Sequence, residues 1–327
     1  MKAALYRRTG GSDVLKVEEI PTPAPGPGQV RVRVALSGVN PTDWKARSGA
    51  TARPFAGSEG FQVPHHDGVG VIDAVGAGVG AERLGQRVWT YLAAHGNAYG
   101  TAAQYSIVPA GRAVPLPRDV PDELAASLGV PALTAAHCLG DEPAAVRGGT
   151  VLVAGGAGAV GHFAIELAKH AGARVVTTVS SDEKAALARS AGADLVVNYR
   201  SPTVAEEVKQ FVPVVDRVVE VALGANIDLD LALSGPRTEI VVYASEPSDP
   251  LLPTRRLMTA NAALRFVLLY GVPGAQLAAC VSWVGDALAA GALSALPAHR
   301  FPLASVAEAQ DAVEANVVGK VLVEPPD

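Results

Sequence analysis

Cysteine is nearly missing from this chain. Cys138 and Cys280 are the only two among 327 residues, they stand far apart, and no Cys-x-x-Cys pair exists. The expectation is two buried thiols in a reducing compartment rather than a disulfide framework. Charge is also sparse: only 18% of residues are charged while 49% are hydrophobic, which excludes a disordered chain and leaves enough apolar surface for large cores. The Lys and Arg residues are scattered under a formal net charge of −5, so a nucleic-acid backbone would be repelled and is excluded as a main partner. No apolar run is long enough to span a bilayer, and Met1 to Arg7 lacks the apolar stretch of a signal peptide. No membrane partner is expected, and the expected location is the cytoplasm.

What the chain does have is length for two domains and two textures of patterning. Val30 to Leu36 alternates apolar and polar residues at the period of a half-buried strand, after a Pro/Gly loop from Pro21 to Gly28. Gly68 to Ala74 and Arg87 to Tyr91 read as further strands. From Asp122 helical stretches appear (Asp122 to Leu128, Leu133 to Leu139). Short apolar runs follow at Thr150 to Ala154, Arg174 to Val179, Leu195 to Asn198, Val214 to Val221 and Glu239 to Ala244. Amphipathic segments at Val160 to Ala171 and Asp182 to Ala191 separate the first three, the latter opened by Ser181 as an N-cap. This is a βαβ alternation, so an α/β fold with a doubly wound parallel sheet is expected. Arg300 to Leu303, Ser305 to Ala315 and Lys320 to Val323 then return to strand, helix and strand. The expected division is a β-rich domain of residues 1–121 and 290–327 around a nucleotide-binding domain of 122–289.

The run Ala154-Gly155-Gly156-Ala157-Gly158-Ala159-Val160-Gly161 joins the first apolar run to the first amphipathic segment. Gly155, Gly158 and Gly161 provide a tight turn, close approach to a pyrophosphate and helix–strand packing, in that order. The helix N-terminus, at Ala159 and Val160, supplies amide donors to phosphate. An NAD-preferring site commonly carries a carboxylate at the tip of the second strand. Here the tip is Val179-Ser180-Ser181, followed by Lys184, with Tyr199 and Arg200 closing the third strand. Hydroxyls, an ammonium and a phenol suit a 2′-phosphate, so NADPH is the expected cofactor. Asp182 reads as a first-turn helix acid.

The chain resembles the quinone oxidoreductase (zeta-crystallin-like) branch of the zinc-free medium-chain dehydrogenases/reductases. The resemblance is carried by Ser37-Gly38-Val39-Asn40-Pro41-Thr42-Asp43-Trp44-Lys45, by Pro64 to Ile72, by Leu133-Thr134-Ala135-Ala136, by the glycine loop and by Gly319-Lys320-Val321-Leu322. It implies a GroES-like β-domain joined to a Rossmann domain, an active site in the cleft between them, and a homodimer. Mapping the zinc ligands of related alcohol dehydrogenases puts Asn40 and Val130 at the two cysteine positions and His66 at the histidine, beside Asp67. A valine and an amide do not make a zinc site, so no metal is expected. His65 and His66 read as loop or cleft residues.

By resemblance the cofactor-binding set is Asn40, Thr134, Gly155, Gly158, Ala159, Val160, Gly161, Ser180, Ser181, Lys184, Tyr199, Ala244 and Lys320. Lys320 substitutes for an arginine that some relatives carry where this chain has Ala315. The catalytic candidates are Lys45, Asn40 and Asp43. The pattern Asn40-Pro41-Thr42-Asp43-Trp44-Lys45 places a lysine beside the nicotinamide in similar enone reductases. The other reading of Lys45 is a solvated turn lysine; Asp43 orients it or caps a helix beginning near Trp44. Tyr91, Tyr99, Trp44, Phe55 and Phe61 are aromatic candidates for stacking on a flat acceptor. Arg265 to Gly271 resembles the family's strand beside the nicotinamide and near the dimer seam; a plain apolar strand is the other reading and suffices for Phe266 and Val267. The implied reaction is hydride transfer from NADPH to a quinone. A reductase of the C=C bond in an enone or enoyl substrate is the alternative, and an NADPH-binding sensor or structural protein is the alternative of another class.

Overall fold

A computed structural model describes residues 1–50, 60–246 and 248–326. Along the chain the first elements are β1 (Lys2–Leu5), β2 (Lys16–Glu19), β3 (Gln29–Gly38), α1 (Pro41–Ser48), β4 (Asp67–Val75), β5 (Arg87–Thr90), β6 (Tyr105–Pro109) and β7 (Ala113–Pro115). Then come α2 (Asp122–Ala125), α3 (Leu133–Leu139), β8 (Thr150–Ala154), α4 (Ala159–His170), β9 (Arg174–Val179), α5 (Asp182–Ser190) and β10 (Leu195–Asn198). After these run α6 (Val204–Phe211), β11 (Val215–Glu220), α7 (Leu223–Leu233), β12 (Ser234–Val242), α8 (Thr254–Ala260), β13 (Ala263–Phe266) and α9 (Gly274–Ala289). The chain closes with β14 (Ala298–Pro302), α10 (Val306–Glu314) and β15 (Lys320–Glu324).

Two compact units result, one of Met1–Val130 with Ala295–Asp327 and one of Pro131–Ser294. In the first, a mostly antiparallel sheet runs in the order β14-β15-β3-β4-β5-β7, with β6 also paired to β3. β14 and β15 are parallel, and α10 makes the crossover that a parallel pair requires. The alternation read in Val30 to Leu36 is the inner face of β3: Val30, Val32, Val34 and Leu36 are buried. Val30 and Val32 pack with Ile72, Val88 and Val108. A second cluster joins Leu5, Val39 and Val63 to Val306, Val321 and Val323, which is why the C-terminal segment belongs to this unit. Helix α2 packs against β3 and β4, so the first unit continues past Asp122 to Val130.

The second unit is a wholly parallel six-stranded sheet in the order β10-β9-β8-β11-β12-β13. Reading from its first strand, that order is 3-2-1-4-5-6, the doubly wound dinucleotide-binding topology whose strand order reverses between β8 and β11. All five residues of β8 are buried, as a strand covered on both faces demands. One core of this unit packs Leu152, Val176, Val218 and Ile240 against Ile227 and Leu233 of α7.

The edge strand departs from expectation. The strand runs Ala263–Phe266 rather than Arg265 to Gly271, with Phe266 64% exposed and Val267 buried just beyond its end. An edge strand has one face and one backbone side without a neighbour, and Phe266 lies there. Among the described residues no helix is long and apolar enough to cross a membrane.

Candidate active site

In the second unit the glycine loop leaves β8 and enters α4. Gly155 has φ +71°, the left-handed backbone that the tight turn needs. A Cβ on Gly161 would stand 2.4 Å from the Gly155 carbonyl oxygen and 2.9 Å from the Gly156 Cα, so helix–strand packing forbids any side chain there. Gly158 differs. Its backbone is extended, it is exposed, and a Cβ would meet nothing nearer than 3.4 Å. Neither conformation nor internal packing requires glycine at 158. The Gly158 carbonyl accepts the first helical bond, from His162 N at 2.8 Å. The amides of Ala159, Val160 and Gly161 precede it and have no intrahelical partner, making the anion-binding end of the helix.

The cationic group predicted beside this loop is assembled. Strand β10 pairs with β9 so that Asn198 faces Val179, and the Tyr199 amide continues the ladder to the Val179 carbonyl at 3.1 Å. Tyr199 and Ser180 therefore follow adjacent strand ends. The Lys184 ammonium donates to the Ser180 hydroxyl at 3.3 Å, and Ser181 caps α5 by accepting from the Lys184 amide at 3.4 Å. Arg200 lies over the Tyr199 ring, 5.8 Å from its centre. Asp182 is exposed in the first turn of α5, where a carboxylate is favoured by the helix dipole. Thr134 is buried near the start of α3, and Ala244 lies just beyond β12. The loop, its free amides and the Ser180–Lys184 pair fit a phosphorylated dinucleotide.

In the first unit the other candidates form a buried polar network. The Lys320 ammonium is 3% exposed and donates to the Asn40 carboxamide oxygen at 2.7 Å and the Val39 carbonyl at 3.0 Å. The Asn40 Nδ2 donates to Asp67 Oδ2 at 2.6 Å, and the Val130 amide donates to Asp67 Oδ1 at 2.8 Å. Lys320 and Asp67 approach to 3.9 Å as an ion pair. Burial pushes the Asp67 carboxyl up to about 6, against Lys320, Asn40 and the Val130 amide, which hold it down. Burial likewise depresses Lys320, opposed by Asp67 and Asp43. Lys320, grouped by sequence with the cofactor residues, thus directs its ammonium at protein atoms and fixes the orientation of Asn40.

The N-cap of α1 is Asn40, and the helix begins at Pro41 rather than near Trp44. Asp43 is therefore not the cap but the third helical residue, reaching back as the partner in a capping box. Its carboxylate accepts from the Asn40 backbone amide at 2.7 Å at the start of α1. Burial, reinforced by Asp67, raises it to about 8 despite the Asn40 amide and Lys320. Lys45 lies in the last turn of α1, its ammonium 5.8 Å from the centre of the Trp44 ring, and it does not join the Asn40 hydrogen bonds. Tyr91 is tied by its hydroxyl to the Gly111 carbonyl at 3.2 Å, and Phe61 and Tyr99 pack edge to face. Phe55 lies outside the described residues.

Sequence reading missed the layer behind this network. His65, at φ +75° and fully buried, pairs Nδ1 with the Ser37 hydroxyl at 2.9 Å and Nε2 with the Gln310 amide at 3.2 Å. Gln310 in turn accepts from buried Arg47 at 2.6 Å. Burial, reinforced by Lys320, pushes His65 down to about 3, so its ring is neutral. Nothing short of the fold brings residues 245 positions apart together, as Gln310 and His65 are.

The donor set around Asn40 does not suit zinc. The Val130 side chain offers no ligand, both ends of the Asn40 amide are engaged, and an ammonium already faces Asp67.

The chain matches the alcohol dehydrogenase GroES-like domain family over residues 26–118 and the zinc-binding dehydrogenase family over residues 159–284. A mouse quinone oxidoreductase is 30% identical over 247 residues, covering 74% of this chain and 72% of its own. A mycobacterial protein solved in complex with NADPH is 32% identical at a TM-score of 0.85, covering 99% of this chain and 100% of its own. A solved 2-haloacrylate reductase is 27% identical at a TM-score of 0.81, with 100% of both chains covered. The chain belongs to the quinone oxidoreductase branch of the medium-chain dehydrogenase/reductase superfamily. It is a nicotinamide-dependent oxidoreductase.

Proposed function

We propose that this enzyme reduces a quinone by hydride transfer from NADPH, without a metal ion. The observation that carries the cofactor choice is the Lys184 ammonium held on the Ser180 hydroxyl at the tip of β9, where an NAD site would carry a carboxylate. A 2′-phosphate binds there, with Ser181 and Tyr199 beside it. The pyrophosphate lies over Gly155, Gly158, Ala159, Val160 and Gly161. Within the parallel-sheet unit Thr134 and Ala244 are the candidates for the nicotinamide end, and in the first unit the candidate is Asn40, held by Lys320. The relatives named quinone oxidoreductases support the acceptor class. Metal-free chemistry is supported by the buried Lys320 ammonium, which supplies beside Asp67 the positive charge a cation would otherwise bring.

A second reading, saturation of a C=C bond conjugated to a carbonyl, is favoured by the likeness to a 2-haloacrylate reductase. In that reaction negative charge develops on the substrate oxygen, and Lys45 is the donor candidate. The protein acts as a homodimer joined at the β13 edge, where Phe266 and Leu268 are each 64% exposed and Met258 is 72% exposed. Free buried Cys138 and Cys280 suit a reducing compartment such as the cytoplasm.

The test is anaerobic NADPH consumption with a simple 1,4-quinone and a cyclic enone in parallel, with products identified. Turnover of the quinone alone supports the first reading and removes Lys45 from the catalytic set. Clean saturation of the enone moves the enzyme to the second. Tight NADPH binding with no turnover of either would make it a sensor.

A further inference from the structure

A second group of chemistry-bearing side chains lies in the parallel-sheet unit, on residues that the nucleotide reading does not use. Helix α3 ends with Gly140 and then Asp141, both in the left-handed region, at φ +107° and +73°. That reversal folds the Asp141 carboxylate back one turn onto His137, whose Nδ1 it meets in a hydrogen bond. Helix α9 packs against α3 and brings Cys280 to the same point, its Sγ 3.4 Å from Asp141 Oδ1. One potential ligand atom from each of the three lies within 4.8 Å of the other two. Residues 139 positions apart are needed to build this group, so it is not an accident of one helix face.

We propose that His137, Asp141 and Cys280 form a Zn²⁺ site. An imidazole nitrogen, a carboxylate oxygen and a thiolate sulfur are the three ligand types that zinc takes, and three protein ligands leave a fourth tetrahedral position to water. The His137 and Asp141 side chains are 10% and 19% exposed, which gives an ion a way in, while Cys280 closes the inner side. The C-terminal end of α3 presents its carbonyl dipoles here, favouring a cation. Two guanidinium groups also reach this helix end, Arg265 on the His137 carbonyl at 3.0 Å and Arg217 on the Cys138 carbonyl at 3.0 Å. Both are paired with Glu239, at 2.8 and 2.7 Å, which cancels one of their two charges.

Zinc is ligated by thiolate, so the Cys280 thiol gives up its proton when the ion binds. Binding therefore releases that proton to solvent, and the His137 ring takes the tautomer that leaves its ligating nitrogen bare. Affinity rises with pH for this reason. The ion ties the end of α3 to α9.

The experiment uses full-length protein stripped with a chelator and titrated with Co²⁺, then with Zn²⁺. One equivalent of Co²⁺ is expected to produce a thiolate-to-cobalt charge-transfer band that Zn²⁺ displaces, and Zn²⁺ is expected to raise the melting temperature. Cys280→Ala should abolish the band. The near-isosteric Asp141→Asn should weaken Zn²⁺ binding by more than about tenfold, the smallest loss typical even of an outer-shell partner. Absence of the band, or its survival in Cys280→Ala, overturns the proposal. If Cys280→Ala does not fold, unchanged affinity in Asp141→Asn overturns it alone. None of these readouts depends on catalysis, so they stand whatever the acceptor proves to be.

Discussion

The Lys320 ammonium donates to the carboxamide oxygen of Asn40 at 2.7 Å, while the amide nitrogen of Asn40 donates to Asp67 at 2.6 Å. A carboxamide held from both ends cannot flip, so Asn40 presents one fixed edge. The cation that fixes it is itself buried, and its value lies in completing the network rather than in net attraction.

Lys320→Met tests this. Removing one partner of a buried ion pair leaves Asp67 uncompensated, and the cost is of the order of 3–5 kcal/mol. Chemical denaturation should show that loss, and kcat should fall as Asn40 loses its orientation. KM for NADPH should barely move. A rise in KM for NADPH at unchanged stability would instead mean that Lys320 touches the cofactor directly.

The glycine loop offers a paired test in which two similar substitutions should fail differently. Gly161→Ala puts a Cβ 2.4 Å from a backbone oxygen, so the turn must shift and stability should drop by roughly 1–3 kcal/mol. Gly158→Ala meets only ordinary contacts, so stability should change by less than about 1 kcal/mol. NADPH affinity should nonetheless fall at least about tenfold in Gly158→Ala, because the methyl occupies the phosphate's place. Thermal melts and fluorescence titration separate the two. Unchanged affinity in Gly158→Ala would leave that glycine without a reason.

The glycine loop was legible in sequence because its signal is local: three glycines between an apolar run and an amphipathic segment have few other uses. The same holds for Ser180, Ser181 and Lys184, which lie within five residues of each other. The Asn40 network was legible only in part. A helix start was readable at Asp43, three residues late, yet Lys320 reaches Asn40 across 280 positions and its partners depend on the pairing of β15 with β3. Helix α9 left little trace because Gly274 to Ala289 is apolar almost all round, so no polar face marks its period; its buried stripe is Cys280, Trp283, Val284, Ala287 and Leu288. The bounds of β13 misled for a related reason, since the apolar run continues past Phe266, where the strand ends.

The buried Asp43 carboxyl makes stability depend on pH. Its folded pKa, about 8, lies above the ordinary carboxylate value of 3.8, chiefly through burial. The folded state therefore holds the proton more tightly than the unfolded state does. Stability from this group is complete below about pH 4 and is lost as pH rises through about 8. Asp43→Asn keeps an acceptor for the Asn40 amide and removes the titration. The variant's melting temperature should decline less steeply between pH 5 and pH 8 than the parent's, with a residual slope from Asp67 and Asp230, raised to about 6 and about 9. Parallel slopes in the two proteins would show that Asp43 is already ionised across this range.

Cofactor preference should rest on Lys184. Lys184 is half-buried, its ammonium shares a hydrogen bond with Ser180, and it forms no ion pair with a carboxylate among the described residues, so its charge is available to a 2′-phosphate. A charge-assisted contact of this kind contributes about 1.5–3 kcal/mol, or roughly a tenfold to hundredfold factor in binding. Lys184→Ala should lower kcat/KM with NADPH by that factor and leave kcat/KM with NADH unchanged, because NADH has no phosphate there. Added salt should weaken NADPH binding to the parent more than to the variant, since part of the contact is open to screening. Equal losses with both cofactors would place Lys184 in the support of α5 rather than in phosphate recognition. A parent enzyme that already prefers NADH would remove the Ser180–Lys184 pair from the cofactor site.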